Sequence, residues 1–428
     1  MNVIFVLIIL SAFCFSGWHQ IFFISMQGAL SPMETLSKAM ITSAGGAVEL
    51  AIGLVGVMAL FLGLMKVAEA GGMLTILARL IRPVMVKLFP DVPADHPAMG
   101  AMILNLSANM LGLGNAATPF GIRAMQELDK LNPQRGTATD AMALFLAINT
   151  SNVTLLPSGV IALRAAAGSS DPAGILPTTL FATIGSTAVA VIAAKLYQRL
   201  VPIKVDAEAS SQQVPSDDTE EVSLKDASTG YPLWVSVVAL AFLVVLIPVS
   251  VSYGRSISPW IIPALMVGFL SFGLVRRVRV YEVFVEGAKD GFRVALRIIP
   301  YLVAILVAVD MLRASGALDA TVGLLGGFTG RFGLPAEALP MALMRPLSGS
   351  GAYAILASII NDPAIGPDSY TGYLVSTLQG STETTFYVLA VYFGAVQVRR
   401  IRHSLAAGLT ADVAGVIFAV LACSFFLG

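Results

Sequence analysis

Seven consecutive polar or small residues, Gln379-Gly380-Ser381-Thr382-Glu383-Thr384-Thr385, lie inside a stretch (370–392) that is otherwise apolar enough to cross a membrane. A carboxylate at bilayer depth costs roughly 2.5–3.5 kcal/mol on insertion scales, so Glu383 is expected to face protein or a water-filled cavity and to be protonated, paired or ligand-bound. Hydroxyls compete for backbone carbonyls and Gly380 packs no side chain, which predicts a locally unwound helix. Freed carbonyls suit Na⁺, the carboxylate suits a proton, and amides and hydroxyls suit a polar solute. A counterpart, Asn149-Thr150-Ser151-Asn152-Val153-Thr154, interrupts the apolar stretch 138–163, with Pro157 after it. Two broken helices imply one shared site.

Two further segments are too polar and Gly-broken for lipid-facing spans. The stretch 97–121 carries Asn105, Ser107, Asn109 and Asn115, and 339–360 carries Arg345, Ser348, Ser350 and Tyr353 among glycines. Non-helical backbone at depth needs protein or water around it, so each is expected to be a re-entrant hairpin whose tip approaches the site. Blander roles compete with ligand binding. Glu383 with Ser381, Thr382 and Thr384 would also serve as an interhelical clasp, worth roughly 0.6 kcal/mol per bond. The amides of Asn149 and Asn152 are ordinary helix glue, and Asn105, Asn109 and Asn115 would satisfy the backbone of a hairpin tip. Arg345 either anchors the second hairpin to Glu383 or a carbonyl, or holds an anionic group.

Other chemistry finds little support. His19, His96 and His403 share no metal spacing, no H-E-x-x-H or G-x-S-x-G string occurs, and two G-x-G-x-x-A strings follow no strand. No enzyme, cofactor or metal site is expected. Cys14 and Cys423 read as packing residues. Glu49, Asp140, Asp310 and Asp412 fall near expected helix ends, where interfacial water suffices, and are assigned no chemistry.

The chain that positions these groups has 428 residues, 56% hydrophobic and 12% charged, with a mean hydropathy of +0.82. Soluble domains carry about 25% charged residues, so this is an integral membrane protein. Apolar runs near 20 residues without ten-residue alternation predict an all-α polytopic fold, not a β-barrel. No basic stripe interleaved with aromatics suggests nucleic acid.

Residues 3–15 are expected to form a first membrane helix, followed by a polar connector (32–43), a span (47–66), an interfacial arm (73–89), the first hairpin (97–121), the first broken helix and a span (175–200). Residues 207–228 read as a solvated linker. Two helices (233–252 and 260–275) joined by a turn at Gly254, an interfacial stretch (280–292), a span (298–312), a Gly-rich arm (317–332), the second hairpin, the second broken helix and a span (405–426) complete the chain. The order repeats on either side of the linker, giving domains 1–205 and 231–428 with 206–230 between. Glu69-Ala70-Gly71-Gly72 sits where Arg313-Ala314-Ser315-Gly316 sits, and Gly112-x-Gly114-x-x-Ala117 matches Gly349-x-Gly351-x-x-Ala354.

Cytoplasmic loops carry excess Lys and Arg. With a cytoplasmic N-terminus, most of the 26 basic residues fall inside, and Lys38, Arg164, Arg255, Arg313 and Arg331 fall outside. The first hairpin then opens to the cytoplasm and the second outward, as two inverted-topology repeats.

With Asn105-Leu106-Ser107-Ala108-Asn109 and Asn149 to Asn152 in its first half, and Arg345-Pro346-Leu347-Ser348-Gly349-Ser350-Gly351 and Gly380 to Thr384 in its second, the chain resembles a fusion of the spore maturation proteins A and B, members of the nucleoside-recognition or gate domain group. It is more distantly similar to concentrative nucleoside transporters, which also pair two re-entrant hairpins with two broken helices. Their hairpin Gln-Thr-Glu signature is absent at the matching place, since the Ser-Thr-Glu here lies on a helix after the hairpin. The resemblance therefore implies the architecture more than a nucleoside substrate. The expected function is alternating-access transport or export of a small polar solute, nucleoside-like and coupled to Na⁺ or protons, in a multi-pass cytoplasmic (inner) membrane protein contacting lipid and able to form a homo-oligomer. The alternative is a non-transporting membrane scaffold or ligand sensor.

Overall fold

The structure, a computed structural model, describes residues 2–24, 30–112, 114–201, 230–317, 320, 327 and 329–427. The expected linker (207–228) and most of the expected second arm (317–332) lie outside the described residues. Every named element among the described residues is helical.

The chain opens with α1 (Asn2–Ile21) and α2 (Pro32–Ala70). A capping box starts α2: Ser31 Oγ accepts from Glu34 N, and the Glu34 carboxylate accepts from Ser31 N at 2.8 Å. The expected connector 32–43 and span 47–66 are thus one 39-residue helix. Polar side chains on an exposed face do not interrupt a helix, and Gly45 and Gly46 cost only about 1 kcal/mol each relative to Ala. Glu49 consequently lies exposed in the interior of α2, away from any helix end.

At Gly72 the chain bends by 68° into α3 (Met73–Leu88), the expected arm. Arg82 fastens this arm to the following loop, donating to Ala94 O at 2.8 Å. Next come α4 (Pro97–Met110), α5 (Gly114–Lys130), α6 (Asp140–Ser151), α7 (Ser158–Ala166) and α8 (Ile175–Leu200).

The second half begins with α9 (Leu233–Val275) and α10 (Val280–Ala314), followed by α11 (Leu339–Met344), α12 (Gly349–Ile360), α13 (Tyr370–Ser381), α14 (Thr385–Ala395) and α15 (Ser404–Leu427). The expected pair of helices around Gly254 is one helical element, α9. Ser236 Oγ near its start donates to Leu80 O, and Gly273 near its end packs on Val67. A straight helix of that length would run about 65 Å, so α9 must bend to bring both ends to the α2–α3 elbow. The expected interfacial stretch 280–292 and span 298–312 likewise merge into the 35-residue α10, which carries Pro300 inside it.

Long helices α2 and α10 pack antiparallel: Ser43 Oγ donates to Asp310 Oδ2 at 2.5 Å at one end, while Gly287 meets Lys66 and Leu62 near the other. Both helices end in the same turn, with the glycine after the C-cap in the left-handed region, Gly72 at φ 85° and Gly316 at φ 79°. Only glycine adopts that conformation without a Cβ penalty. Among the described residues, α8 and α15 are long and apolar enough to cross a membrane individually. On α15 the division is plain: Leu409, Val413, Ile417 and Leu421 are exposed, while Ala407, Gly408, Ala411, Asp412, Gly415 and Ala419 are buried. The large apolar stripe suits lipid, and the small-residue face suits close helix contact.

Candidate functional site

The two helix breaks occur where the polar runs stand. The first separates α6 from α7 (residues 152–157), and the second separates α13 from α14 (residues 382–384). Both α6 and α13 have 12 residues and a hydroxyl N-cap, Thr139 Oγ1 accepting from Met142 N and Ser369 Oγ from Gly372 N. Just before the first break Asn149, Thr150 and Ser151 all bond back to carbonyls one turn earlier, Phe145 O, Leu146 O and Ala147 O. Such back-bonding weakens and bends helices.

Polar contacts join the breaks to each other and to the hairpin tips. Glu383 N donates to Thr150 O at 2.8 Å, so main chain links break to break. Leu155 N donates to Met110 O (2.9 Å) at the α4–α5 tip, and Phe386 N donates to Pro346 O (3.1 Å) at the α11–α12 tip. Side chains repeat the connection. Asn109 Nδ2 donates to Asn149 Oδ1 at 3.0 Å, while Arg345 donates to Thr384 Oγ1 at 3.0 Å and to Thr382 O.

A cavity of about 270 Å³ lies at this junction. Its polar wall includes Asn109, Thr154, Ser158, Arg345, Tyr353, Gln379 and Glu383, and α2 contributes Met58, Phe61 and Leu62. Glu383 lies 3.7 Å from Arg345, its side chain 42% exposed into this space, while the Arg345 side chain is 6% exposed. Of the alternatives open for Glu383, the structure has the paired one, and Arg345 anchors carbonyl, hydroxyl and carboxylate together. Gln379 is buried with Oε1 unpartnered, an acceptor without a donor at the cavity. A mixed wall of aromatic, amide and paired charge suits a small, neutral or zwitterionic polar solute.

The remaining expected site residues divide. Thr150, Ser151, Asn152, Ser381, Thr382 and Thr384 are buried in or beside the breaks. Ser151 O accepts from Ser186 and Thr187 of α8. Ser348 caps α12, accepting from Gly351 N, and Ser350 occupies its first turn outside the cavity wall. Asn105 and Ser107 do not reach the cavity. Asn105 donates to Ala117 O and Tyr392 Oη, and Ser107 bonds back to Ile103 O. The side chain of Asn115 lies outside the described residues.

The site residues expected from the sequence leave out Thr154, Ser158 and Tyr353 of the polar wall and Met58, Phe61 and Leu62 of α2. Tyr353 is the only aromatic residue in α12, a signal that was available, whereas Met58, Phe61 and Leu62 look like any span residues until α2 is placed. Asp412, expected near a helix end, is instead the ninth residue of α15, 5% exposed, with Oδ2 accepting from Thr385 Oγ1 at 2.6 Å. Interfacial water does not reach it, because the small-residue face of α15 closes on the second break.

The two ends of the broken helices also find each other. At one end Arg402 donates to Asp140 (2.7 Å) and Ala138 N donates to Arg400 O (2.9 Å). At the other, Arg164 of α7 donates to Pro367 O (2.5 Å) and Asp368 (3.1 Å) in the loop before α13. Accordingly α6–α7 and α13–α14 run in opposite directions past the cavity.

Comparison with known proteins places these features in a family. The model described as "Gate: Nucleoside recognition" matches residues 51–199 and 295–399, more than half of the chain, including both helix breaks. The chain is 45% identical over 167 residues to spore maturation protein B of Bacillus subtilis (strain 168), covering 93% of that protein and 39% of this chain. It is 47% identical over 160 residues to spore maturation protein A of the same strain, covering 82% of it and 37% of this chain. It is also 30% identical over 103 residues to inner membrane protein YjiG of Escherichia coli (strain K12), 64% of that protein and 24% of this chain. Among solved structures it is similar to CNTnw in an inward-facing substrate-bound state, with a TM-score of 0.45 and 12% identity over 100% of this chain and 97% of that one.

Proposed function

The chain belongs to the Gate nucleoside-recognition family, and from that premise we propose that it is a membrane transporter moving a small polar solute across the cytoplasmic membrane by alternating access. The observation that carries this reading is the cavity where both breaks and both hairpin tips meet. Broken helices around a central polar site are the usual construction of secondary transporters. The domain assignment follows the same reading: residues 1–205 are the spore maturation A-like half and 231–428 the B-like half, related as inverted repeats with re-entrant hairpins α4–α5 and α11–α12. The matched turns at Gly72 and Gly316 and the opposed directions of the broken helices support it.

Two measurements test the reading. In proteoliposomes holding the purified chain, a screen of labelled nucleosides, amino acids and small amines is expected to give saturable flux for at least one. Tight binding with no flux under any ion gradient would instead favour a ligand sensor or scaffold. In a background lacking Cys14 and Cys423, a cysteine at exposed Pro133 is expected to react only from the cytoplasm and one at exposed Pro363 only from outside. Labelling of both from one face would end the inverted-repeat assignment and the cytoplasmic N-terminus with it.

A further inference from the structure

Asp412 stands on the buried face of α15 between two glycines. At Gly408 an added Cβ would come within 2.9 Å of Thr385 and 3.7 Å of Thr150, and at Gly415 within 2.5 Å of Thr382. Residues 408, 412 and 415 share one helix face. Asp412 therefore sits at the level where α15 contacts both breaks, on the side away from the cavity wall. By helix rise it lies about 5 Å from the middle of α15. Its Oδ2 takes the Thr385 hydroxyl, and its Oδ1 is buried without a partner.

A buried carboxylate without a contacting countercharge is costly when ionised, and taking up a proton is the ordinary relief. Glu383 is differently placed, because Arg345 neutralises it and the cavity hydrates it. Helices α14, α8, α6 and α13 pack against α15. From α14 it meets Thr385, the titratable residues of that helix being Tyr387, which is exposed, and Tyr392, which is bonded to Asn105, and Arg345 is the charged group whose field reaches it. On α8 the titratable residues are Lys195, Tyr197 and Arg199, with Tyr197 Oη bonded to Thr410 at 3.1 Å. On α6 the titratable residue is Asp140, held by Arg402 at the far end, and on α13 they are Tyr370 and Tyr373 at the opposite end.

We propose that Asp412 is a proton-binding site read by the second helix break, and, resting on the transporter reading, that it is where a proton gradient enters the transport cycle. Its one donor, Thr385, is the first residue of α14, so the group that stabilises the carboxylate belongs to the element that must move. Thr385 and the α14 N-terminus together give the carboxylate a hydrogen bond and a favourable helix dipole. When the break shifts and withdraws them, Oδ1 takes up one proton to give the neutral acid. Return of α14 releases that proton to the side then open.

The test does not depend on transport. Infrared difference spectra of the full chain in liposomes, recorded between acid and alkaline pH, should contain the C=O band of a buried carboxylic acid. We expect ¹³C-aspartate labelling of the unsubstituted chain to shift that band, Asp412→Asn to abolish it, and Glu383→Gln to leave it. The isotope arm stands even if Asp412→Asn fails to fold. A band unmoved by the isotope, or lost in Glu383→Gln and kept in Asp412→Asn, overturns the proposal, as does a carboxylate ionised throughout whose signal shifts only on adding Na⁺. Solute flux without such a band would leave the transporter reading intact and remove this one, and the band without flux would do the reverse.

Discussion

Arg345→Ala is expected to destabilise the chain by about 3 kcal/mol, the lower end of the cost of removing one partner from a buried ion pair, since Glu383 keeps some hydration. The guanidinium holds the second break from three directions, through Thr384 Oγ1, Thr382 O and Glu383. Its loss leaves a buried carbonyl and hydroxyl without a donor and a carboxylate without a countercharge. Arg345→Lys should recover only part of this stability, because an ammonium is a point charge and cannot span a planar fork of acceptors. Thermal unfolding of the purified chain in detergent measures both variants. Lysine equal to arginine would mean that charge alone matters at this position, and alanine equal to arginine would remove Arg345 as the anchor of the break. Solute binding should fall further than stability does, since Arg345 and Glu383 both line the cavity.

The second large effect lies at the other end of α7. Arg164 is fully buried and donates to Pro367 O, Ser169 Oγ, Asp171 O and Asp368, while its guanidinium stacks 4.2 Å from the Tyr373 ring centroid. One side chain thereby fastens the loop after α7 to the loop before α13. Arg164→Ala is expected to cost about 3–5 kcal/mol by the same removal of one buried partner, visible as a lowered melting temperature. It should also open the 361–369 loop to proteolysis. Near-parental stability would show that the surrounding helices hold this end without the latch.

The latch is expected to depend on pH through Asp368. Partial burial acts to raise its proton affinity, but hydrogen bonds from the Ser169 hydroxyl and from the Ser170 N–H and hydroxyl, with the Arg164 charge, outweigh it and hold the carboxyl below the usual range. A carboxylate depressed in the folded state contributes stability that is fully present above its unfolded value, about 3.9, and is lost as pH falls through the lower folded value. Acid should therefore loosen the latch only below about pH 4, and Asp368→Asn should flatten that part of the profile. An acid limb unchanged in Asp368→Asn would assign the loss to another group.

The amino-acid sequence by itself determined the membrane class, the all-helical fold, both breaks and the family. Each rests on residue types that are expensive in their setting: Glu383 and the Asn149–Asn152 run stand out because polar groups in apolar stretches need a reason, and Gly112, at φ 75°, marks the turn between α4 and α5. Helix continuity was less legible. The expected boundaries inside α2 and α10 vanished because polar residues, glycines and even Pro300 do not end a helix that a long partner supports, and these two helices lie along each other. Only the tertiary structure decided which polar groups meet. Asn105 and Asn109 sit four residues apart on α4, yet one serves Tyr392 and the other Asn149, and nothing in their spacing distinguishes them. The pairing of Arg345 with Glu383 and the burial of Asp412 against Thr385 join residues 38 and 27 positions apart. A carboxylate's partner, exposure and proton affinity are set by the groups that folding brings around it.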